Sequence, residues 1–432
     1  MIFAALKSYR PGRLAKGTLV MSLGLGLRTL GQAVVFLLIA RLLGVDAYGA
    51  YSAVLALAMA LSWFVGLGAS GIMLRDTARD ARAFEQAWGR TLAAFLVSAP
   101  VVLFLYGLLA WLFFPDAIHW TVVICLGIAE ILLSPILQAA THAYQGHERM
   151  GRAARMQMVP IVSRVGVTAV LLIGASWLHW FEPLRLWGVL YLLAAIVAAG
   201  YALWRLRRDF GLGFMPIWSG LGLSLRDGWP YALASFSGKV YADIDKLMLA
   251  RLASLEATGV YSAAHRFVDM AGIPLAGLYS ASVTRFFRAG DQGIQPAIRY
   301  TLRLLPVPLG YAVLAGGVFS LLADFLPWVL GPEYFEAASA LRGMAWLPVL
   351  SVVRDLLSHV FICTDRQRFY LLVLTLGATA NVLLNLWAIP RWGWQGAVGA
   401  TYVAEFVMIA AQLGLLMRTV RHADNSVRYT SG

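Results

Sequence analysis

Along this chain, apolar stretches of roughly 20 residues, the length a helix needs to cross a ~30 Å hydrocarbon core, alternate with short polar connectors. Twelve of them can be read, near 17–40, 49–73, 91–114, 120–140, 157–178, 187–204, 230–252, 258–281, 300–323, 337–362, 369–389 and 396–417. Only helices and closed barrels satisfy their backbone groups in lipid, and these stretches are too long and too uniformly apolar for barrel strands. The pattern therefore predicts an all-α polytopic membrane protein of about twelve transmembrane helices.

A second periodicity lies on top of the first. The segment Ala40 to Ala53, ARLLGVDAYGAYSA, recurs without a gap 210 positions later as ARLASLEATGVYSA, Ala250 to Ala263, with Asp46 answered by Glu256. Each copy joins two apolar stretches. Further along, Leu186-Trp187-Gly188-Val189 is echoed by Trp394-Gln395-Gly396-Ala397. A duplication of six spans returns the chain to its starting side, so two six-helix lobes related by a pseudo-twofold axis along the membrane normal are expected. The lobes are placed at 1–204 and 230–432, joined by a cytoplasmic linker at 205–229 whose apolar part, Trp218 to Leu225, is expected to lie along the inner leaflet.

Composition agrees: 60% hydrophobic and 13% charged residues exclude an ordinary soluble chain. The formal charge of +13 would suggest nucleic acid in a soluble protein, but its placement argues otherwise. With the N-terminus inside, 24 Lys and Arg residues, among them Lys7, Arg10, Arg75, Arg152, Arg208, Arg285, Arg366 and Arg368, fall on the cytoplasmic side. Only Arg41, Arg185, Arg251 and Arg391 fall outside. Both termini are thus expected in the cytoplasm, with the basic excess serving topology and attraction to anionic lipid rather than nucleic acid. Trp111, Trp120, Trp177, Trp180, Trp328 and Trp392 gather near the outer span ends as an interfacial belt. Cys125 and Cys363 form no disulfide framework, and the basic N-terminus with its long apolar run reads as an uncleaved first span.

Charges inside the spans carry the most information, since each costs about 2.5–3.5 kcal/mol at the bilayer centre. Seven are basic (Arg28, Arg164, Lys239, Lys246, Arg266, Arg342, Arg354) and six acidic (Glu130, Asp243, Asp245, Asp269, Asp355, Glu405). Facing lipid they would cost on the order of 30 kcal/mol, more than a domain's net stability, so most must face a hydrated cavity or one another. Lys239, Asp243 and Lys246 share one helix face at i, i+4 and i+7, giving it net positive charge. Arg266 has Asp269 at i+3 as a neutralising neighbour. Asn381 and Asn385, one turn apart, suit interhelical hydrogen bonds. A cavity whose cations, Arg28, Lys239, Lys246, Arg266 and Arg354, hold an anionic head group is one reading, with Glu130, Asp269 or Glu405 exchanging the coupling ion. Helix-to-helix ion pairing that fixes packing is the other.

Several signals of soluble enzymes fail on inspection. Gly66-Leu67-Gly68-Ala69-Ser70-Gly71 fits GxGxxG but ends a span rather than following a strand. His147-Glu148 begins like HExxH, yet Gly151 stands where the second histidine is required. Asp243 and Asp245, at i and i+2, point to nearly opposite faces and cannot jointly chelate. With no GxxxxGK[ST] and only short outer loops, a transporter is expected rather than an enzyme, without a cofactor other than a coupling H⁺ or Na⁺.

The segment Ala40-Arg41-Leu42-Leu43-Gly44 with Asp46, Tyr48-Gly49 and Tyr51-Ser52 resembles the opening of the Wzx-type polysaccharide (O-antigen) flippases. So does the second half, with Asp243, Asp245 and Leu249 leading to Gly259-Val260-Tyr261-Ser262-Ala263-Ala264 and Arg266, and so does the loop Gln145-Gly146-His147-Glu148-Arg149. The likeness runs over essentially the whole chain. It implies the fold of the multidrug/oligosaccharidyl-lipid/polysaccharide (MOP) exporters, the MATE-like fold, working by alternating access about a central site. It also implies an undecaprenyl-pyrophosphate-linked oligosaccharide moved from the inner to the outer leaflet of a bacterial inner membrane for lipopolysaccharide or other surface polysaccharide. A polysaccharide polymerase and a chain-length regulator are the implied protein partners. An ion-coupled multidrug or organic cation antiporter of the same fold is the alternative, and it would want an acidic cavity.

Overall fold

The computed structural model describes residues 13–174, 182–211, 213 and 215–430, with side chains described within 26–173 and 182–420. Lys7, Arg10, Trp177 and Trp180 lie outside the described residues. The described chain holds no strand and runs through helices α1 Arg13–Ser62, α2 Ala69–Arg79, α3 Phe84–Phe113, α4 Trp120–Gly146, α5 Met150–Gly174 and α6 Pro183–Phe210. It continues with α7 Leu221–Leu252, α8 Leu255–Asp291, α9 Ile294–Leu304, α10 Pro306–Leu330, α11 Phe335–Met344, α12 Leu347–Cys363 and α13 Gln367–Thr430.

Among the described residues seven helices are long and apolar enough to cross a membrane, and α11 with α12 form an eighth span bent by 43°. Two of the seven are each a pair of passes. Helix α1 breaks at Gly44 (φ 76°) and α13 at Gly393 (φ 54°), backbone conformations that a side chain with Cβ rarely adopts. The remaining two passes of the expected twelve are α7 and α8, of 32 and 37 residues, whose intramembrane charges keep them from reading as apolar. The helices that look least like membrane spans are thus α7 and α8, which carry several of the intramembrane charges. Side chains such as Phe104, Trp111, Ile173 and Leu321 are exposed on the helices, as lipid-facing positions of a multi-pass membrane protein are.

The second expected span is interrupted. Helix α1 stops at Ser62, and Gly66, Leu67 and Gly68 all take left-handed backbone angles before α2 resumes. The GxGxxG match is therefore a helix break, and a Cβ on Gly68 would strike the backbone of Gly228 at the start of α7. The connector after α6 is also more ordered than its composition suggests. Helix α6 runs on through Arg205–Arg208 to a left-handed Gly211, and the described residues from there to Gly220 form no helix or strand. Ile217 N donates to Gly89 O (2.9 Å) and Arg90 Nε to Ser219 O (3.0 Å), which straps the connector to α3.

The chain divides into two compact units. The first holds the residues up to Ile39, Ala58–Leu112 and Ala117–Phe236, and its core joins Met73, Trp88, Tyr144, Met156 and Leu206 with a floor of alanines that lets helices approach closely. The second holds Ala40–Leu57, Phe113–Asp116 and the chain from Ser237 on, with a core of Tyr279, Phe286, Val352, Leu356 and Val360.

Both copies of the sequence repeat belong to the second unit, where they pack on each other. A Cβ on Gly49 would overlap the carbonyl oxygen of Leu255, and a Cβ on Gly259 would overlap that of Val45. Gly49 and Gly259 are equivalent positions of the repeat, as are Val45 and Leu255, so the contact is reciprocal. Their N-termini are capped differently. In the second copy Ser254 caps its own helix, accepting from Ala257 N at 3.0 Å. The first copy has Gly44 at that position, and the acceptor for Val45 N is Glu333 Oε2 (3.3 Å) from the turn before α11. Tyr334 of the same turn donates to the carbonyls of Ala40 (2.9 Å) and Gly44 (3.1 Å).

Overfilling this contact is expected to cost about 1–3 kcal/mol. Gly259→Val should lower the thermal unfolding midpoint of the detergent-purified protein, whereas Gly317→Val, which meets open space, should leave it nearly unchanged.

Candidate charged sites in each unit

In the first unit, α4 is locally widened into a π turn over Ile128–Leu133, and Glu130 sits in that turn. A π turn shifts the side chains that follow and recurs at functional positions of helices. Glu130 accepts from Arg164 Nη2 of α5 (2.9 Å) and from Tyr191 OH of α6 (2.5 Å), while the Arg164 guanidinium lies 4.3 Å from the centroid of the Tyr191 ring. Arg28 of α1 is partly buried within electrostatic reach of Arg164, and no acid among the described residues forms an ion pair with it. This corner thus holds two cations and one carboxylate.

In the second unit the charges of α7 and α8 separate as the helical spacing requires. Lys239 Nζ pairs with Asp243 Oδ2 at 2.5 Å and Lys246 with Asp243 Oδ1, so one carboxylate sits between two ammoniums. Lys239 is 27% exposed, Asp243 11% and Lys246 12%, which leaves the outer lysine able to meet a ligand. Asp245 points the other way and is buried. It accepts from Tyr261 OH of α8 (2.5 Å), Asn385 Nδ2 (2.6 Å) and Thr401 Oγ1 (3.3 Å) of α13, and it forms no ion pair among the described residues. Asn385 also donates to Asn381 Oδ1 (3.0 Å), so of the two asparagines only Asn385 makes the interhelical bond that their spacing suggests. Asp269 does not neutralise Arg266 directly. Its Oδ2 lies 3.3 Å from His265 Nδ1, one turn before it on the same helix, and no ion pair joins it to Arg266 among the described residues.

A third cluster surrounds Arg354 of α12. Its guanidinium bonds Asp355 Oδ1 (2.9 Å) and Glu405 Oε1 of α13, and Glu405 also accepts from Tyr241 OH (3.0 Å) and Ser351 Oγ (3.3 Å). Arg354 lies 5.6 Å from the Tyr241 ring centroid. The Arg–Glu–Tyr grouping of the first unit thus recurs in the second, though from helices that are not equivalent in the duplication. Arg342, at the end of α11, pairs with Asp324 at the surface.

Of the cations named from the sequence, Arg354 is committed to two carboxylates, Lys239 and Lys246 share one, and Arg28 and Arg266 have no ion-pair partner among the described residues. Of the acids, Glu130 and Glu405 are each held by an arginine and a tyrosine, and Asp269 by a histidine. Spacing along one helix could not reveal Tyr191, Tyr241, Tyr261 or His265 as partners, since three of these four bonds join different helices. The exception, His265 and Asp269 at i and i+4 on α8, was available in the sequence.

Breaking a buried pair strands the surviving charge, at about 3–5 kcal/mol. Glu130→Ala is expected to lower thermal stability by that order, and Glu130→Gln combined with Arg164→Met to recover most of it, as read by the unfolding midpoint in detergent.

Comparison with solved structures returns the same architecture. A multidrug resistance MATE family transporter of the MOP superfamily, in its inward-facing conformation, matches with a TM-score of 0.66 at 15% identity, covering 94% of this chain and 96% of the other. The lipid II flippase MurJ in an inward closed conformation matches with a TM-score of 0.76 at 11% identity, over 92% and 87%. A MOP superfamily transporter from Pyrococcus furiosus, described by the reversed polarity of its binding pocket, matches with a TM-score of 0.63 at 16% identity, over 94% and 95%. At these identities the likeness establishes the MOP fold. No curated protein sequence matches the chain. The family model described as polysaccharide biosynthesis protein matches residues 14–288, more than half of the 432. The chain therefore belongs to the polysaccharide biosynthesis protein family, with the helical MOP fold of membrane transporters.

Proposed function

We propose that this protein is a flippase that carries an undecaprenyl-pyrophosphate-linked oligosaccharide from the inner to the outer leaflet of the bacterial inner membrane by alternating access, supplying surface polysaccharide synthesis. The observation that carries the reading is the cationic face of α7 and α8, where Lys239 and Lys246 outnumber Asp243 and Arg266 stands without an ion-pair partner among the described residues. A pyrophosphate diester asks for such a face. Ammonium groups supply point charge and a guanidinium supplies a planar donor fork for phosphate oxygens. Arg28 gives the first unit a cation of the same kind. Arg354, clamped by two carboxylates, serves as a second-unit anchor whose engagement requires a carboxylate to let go.

Ion coupling, by H⁺ or Na⁺, is assigned to a carboxylate. A coupling ion must bind one conformational state better than another, and a carboxylate with adjustable partners can do this. Asp269, 46% exposed, is the accessible member of the set, while Glu130 and Glu405 orient their arginines. A polymerase and a chain-length regulator are the proposed neighbours in the same membrane. An exporter of organic cations, the rival of the same fold, is disfavoured by the charge of α7 and α8.

The test is transfer of a fluorescent undecaprenyl-pyrophosphate oligosaccharide in liposomes containing the purified protein. Arg28→Ala with Lys239→Ala should reduce transfer at least tenfold, about 1.4 kcal/mol or more of lost stabilisation, with folding intact. Unchanged transfer after removal of Arg28, Lys239, Lys246 and Arg266 together would refute the site. The proposed orientation is tested separately. Because Cys125 and Cys363 are buried, Arg185→Cys should react with a membrane-impermeant maleimide in intact cells, and Arg368→Cys only after permeabilisation.

A further inference from the structure

His265 was absorbed by none of the roles above, yet it stands at the junction of the charges on α7 and α8. Its ring stacks on that of Tyr261 one turn before it, at 5.7 Å between centroids and 20° between planes. Tyr261 in turn donates to the buried Asp245. One turn after it, Nδ1 faces Asp269 Oδ2 at 3.3 Å. The histidine side chain is 16% exposed and Asp269 46%, so the pair opens to its surroundings on the aspartate side only.

The charged and titratable groups acting on this pair are Asp245 and Lys246 from α7, Tyr261, Arg266 and Asp269 from its own helix, and Tyr48 from the first copy of the repeat. Asp245 is turned to the opposite side of α7, so on the shared face two carboxylates, Asp243 and Asp269, meet three fixed cations, Lys239, Lys246 and Arg266. That face carries one positive charge when His265 is neutral and two when His265 is protonated. Asp269 also has a choice of cation, since Lys246 and Arg266 lie within its electrostatic reach.

We propose that His265 is a proton-binding site that switches the α7/α8 face between a weakly and a strongly anion-holding state. Protonated, His265 takes Asp269 as its counter-ion, and Arg266 and Lys246 are released to a diphosphate head group. Neutral, it leaves Asp269 to those two cations, which then compete poorly for phosphate. The proton added at His265 and the anion bound at Arg266 and Lys246 therefore favour one another, a reciprocal linkage of two ligands at one site. An imidazole suits this work because its ordinary titration range lies near neutral pH, where lysine, arginine and unperturbed carboxylates hold their charge. The inference rests on the head-group reading of the preceding subsection.

The experiment is equilibrium binding of undecaprenyl diphosphate to the full-length protein in detergent, at about pH 5.5 and about pH 8, values that bracket the ordinary range of a free imidazole. Because the diphosphate itself titrates in this range, wild type is read against His265→Gln, which shares that contribution. Wild type should bind about tenfold tighter at the lower pH relative to the variant, the effect of one added unit of favourable charge at ~1.4 kcal/mol. The two variants should move in opposite directions. His265→Gln is expected to stay in the weak state at both pH values, and Asp269→Asn, whose amide no longer neutralises Arg266 and Lys246, in the tight state at both. A purely structural role for either residue would weaken binding in both. Should His265→Gln fail to fold, proton exchange serves instead: in weak buffer near neutrality, binding should draw more protons from solution with wild type than with Asp269→Asn. Equal pH slopes in wild type and His265→Gln, or equal proton exchange, would overturn the switch while leaving the head-group site standing. No binding by wild type at either pH would remove the head-group reading itself, and the switch with it.

Discussion

Ionised groups are expensive in hydrocarbon, and that one cost organises this molecule. Most intramembrane charges whose side chains are described are either tied to an opposite charge or held by hydroxyl and amide donors. Glu130 and Glu405 show the first solution, each closed by an arginine whose guanidinium also lies near a tyrosine ring. Asp245 shows the second, a buried carboxylate satisfied by Tyr261, Asn385 and Thr401. Lys239 and Lys246 share the single carboxylate of Asp243, and Arg266 has no ion-pair partner among the described residues. In a bilayer a stranded charge has no water to fall back on.

The duplication supplies a frame on which these clusters were built unequally. At the repeat itself the two copies pack through equivalent glycines, and that close approach leaves no room for a side chain on either helix. Elsewhere the halves have diverged. One copy is capped by its own Ser254 and the other by Glu333, delivered from a turn almost three hundred residues away along the chain. The Arg–Glu–Tyr grouping occurs in both units but draws on different helices. Shared chemistry here reflects the same electrostatic problem solved twice rather than one ancestral site kept in two copies.

The clusters differ in how firmly they are held, and that difference bears on transport. Arg354 and Arg164 are pinned by buried carboxylates, whereas Lys239 is partly open and Asp269 half-exposed. A transporter needs groups that can exchange partners at modest cost, because a ligand shifts a conformational equilibrium only by what it gains in one state over the other. The face of α7 and α8, with one carboxylate between two lysines and another able to choose among His265, Lys246 and Arg266, has that property. The pinned arginines, one in each unit, lack that freedom.

What the sequence determined by itself was everything that depends on neighbours along the chain. Span length fixed the helical membrane class, the fourteen-residue repeat revealed the duplication, and helical periodicity placed Lys239, Asp243 and Lys246 on one face with Asp245 turned away. All of these are local because a helix satisfies its own backbone and sets side-chain directions every 3.6 residues. The interruption at Gly66–Gly68, the trans cap from Glu333 and the partners of Glu130, Glu405 and Asp245 were decided by the tertiary structure. Each of these depends on which helix faces which, and in a membrane that is settled by close packing of small residues and by the need to neutralise charge across helices. Neither leaves a periodic mark in a single span.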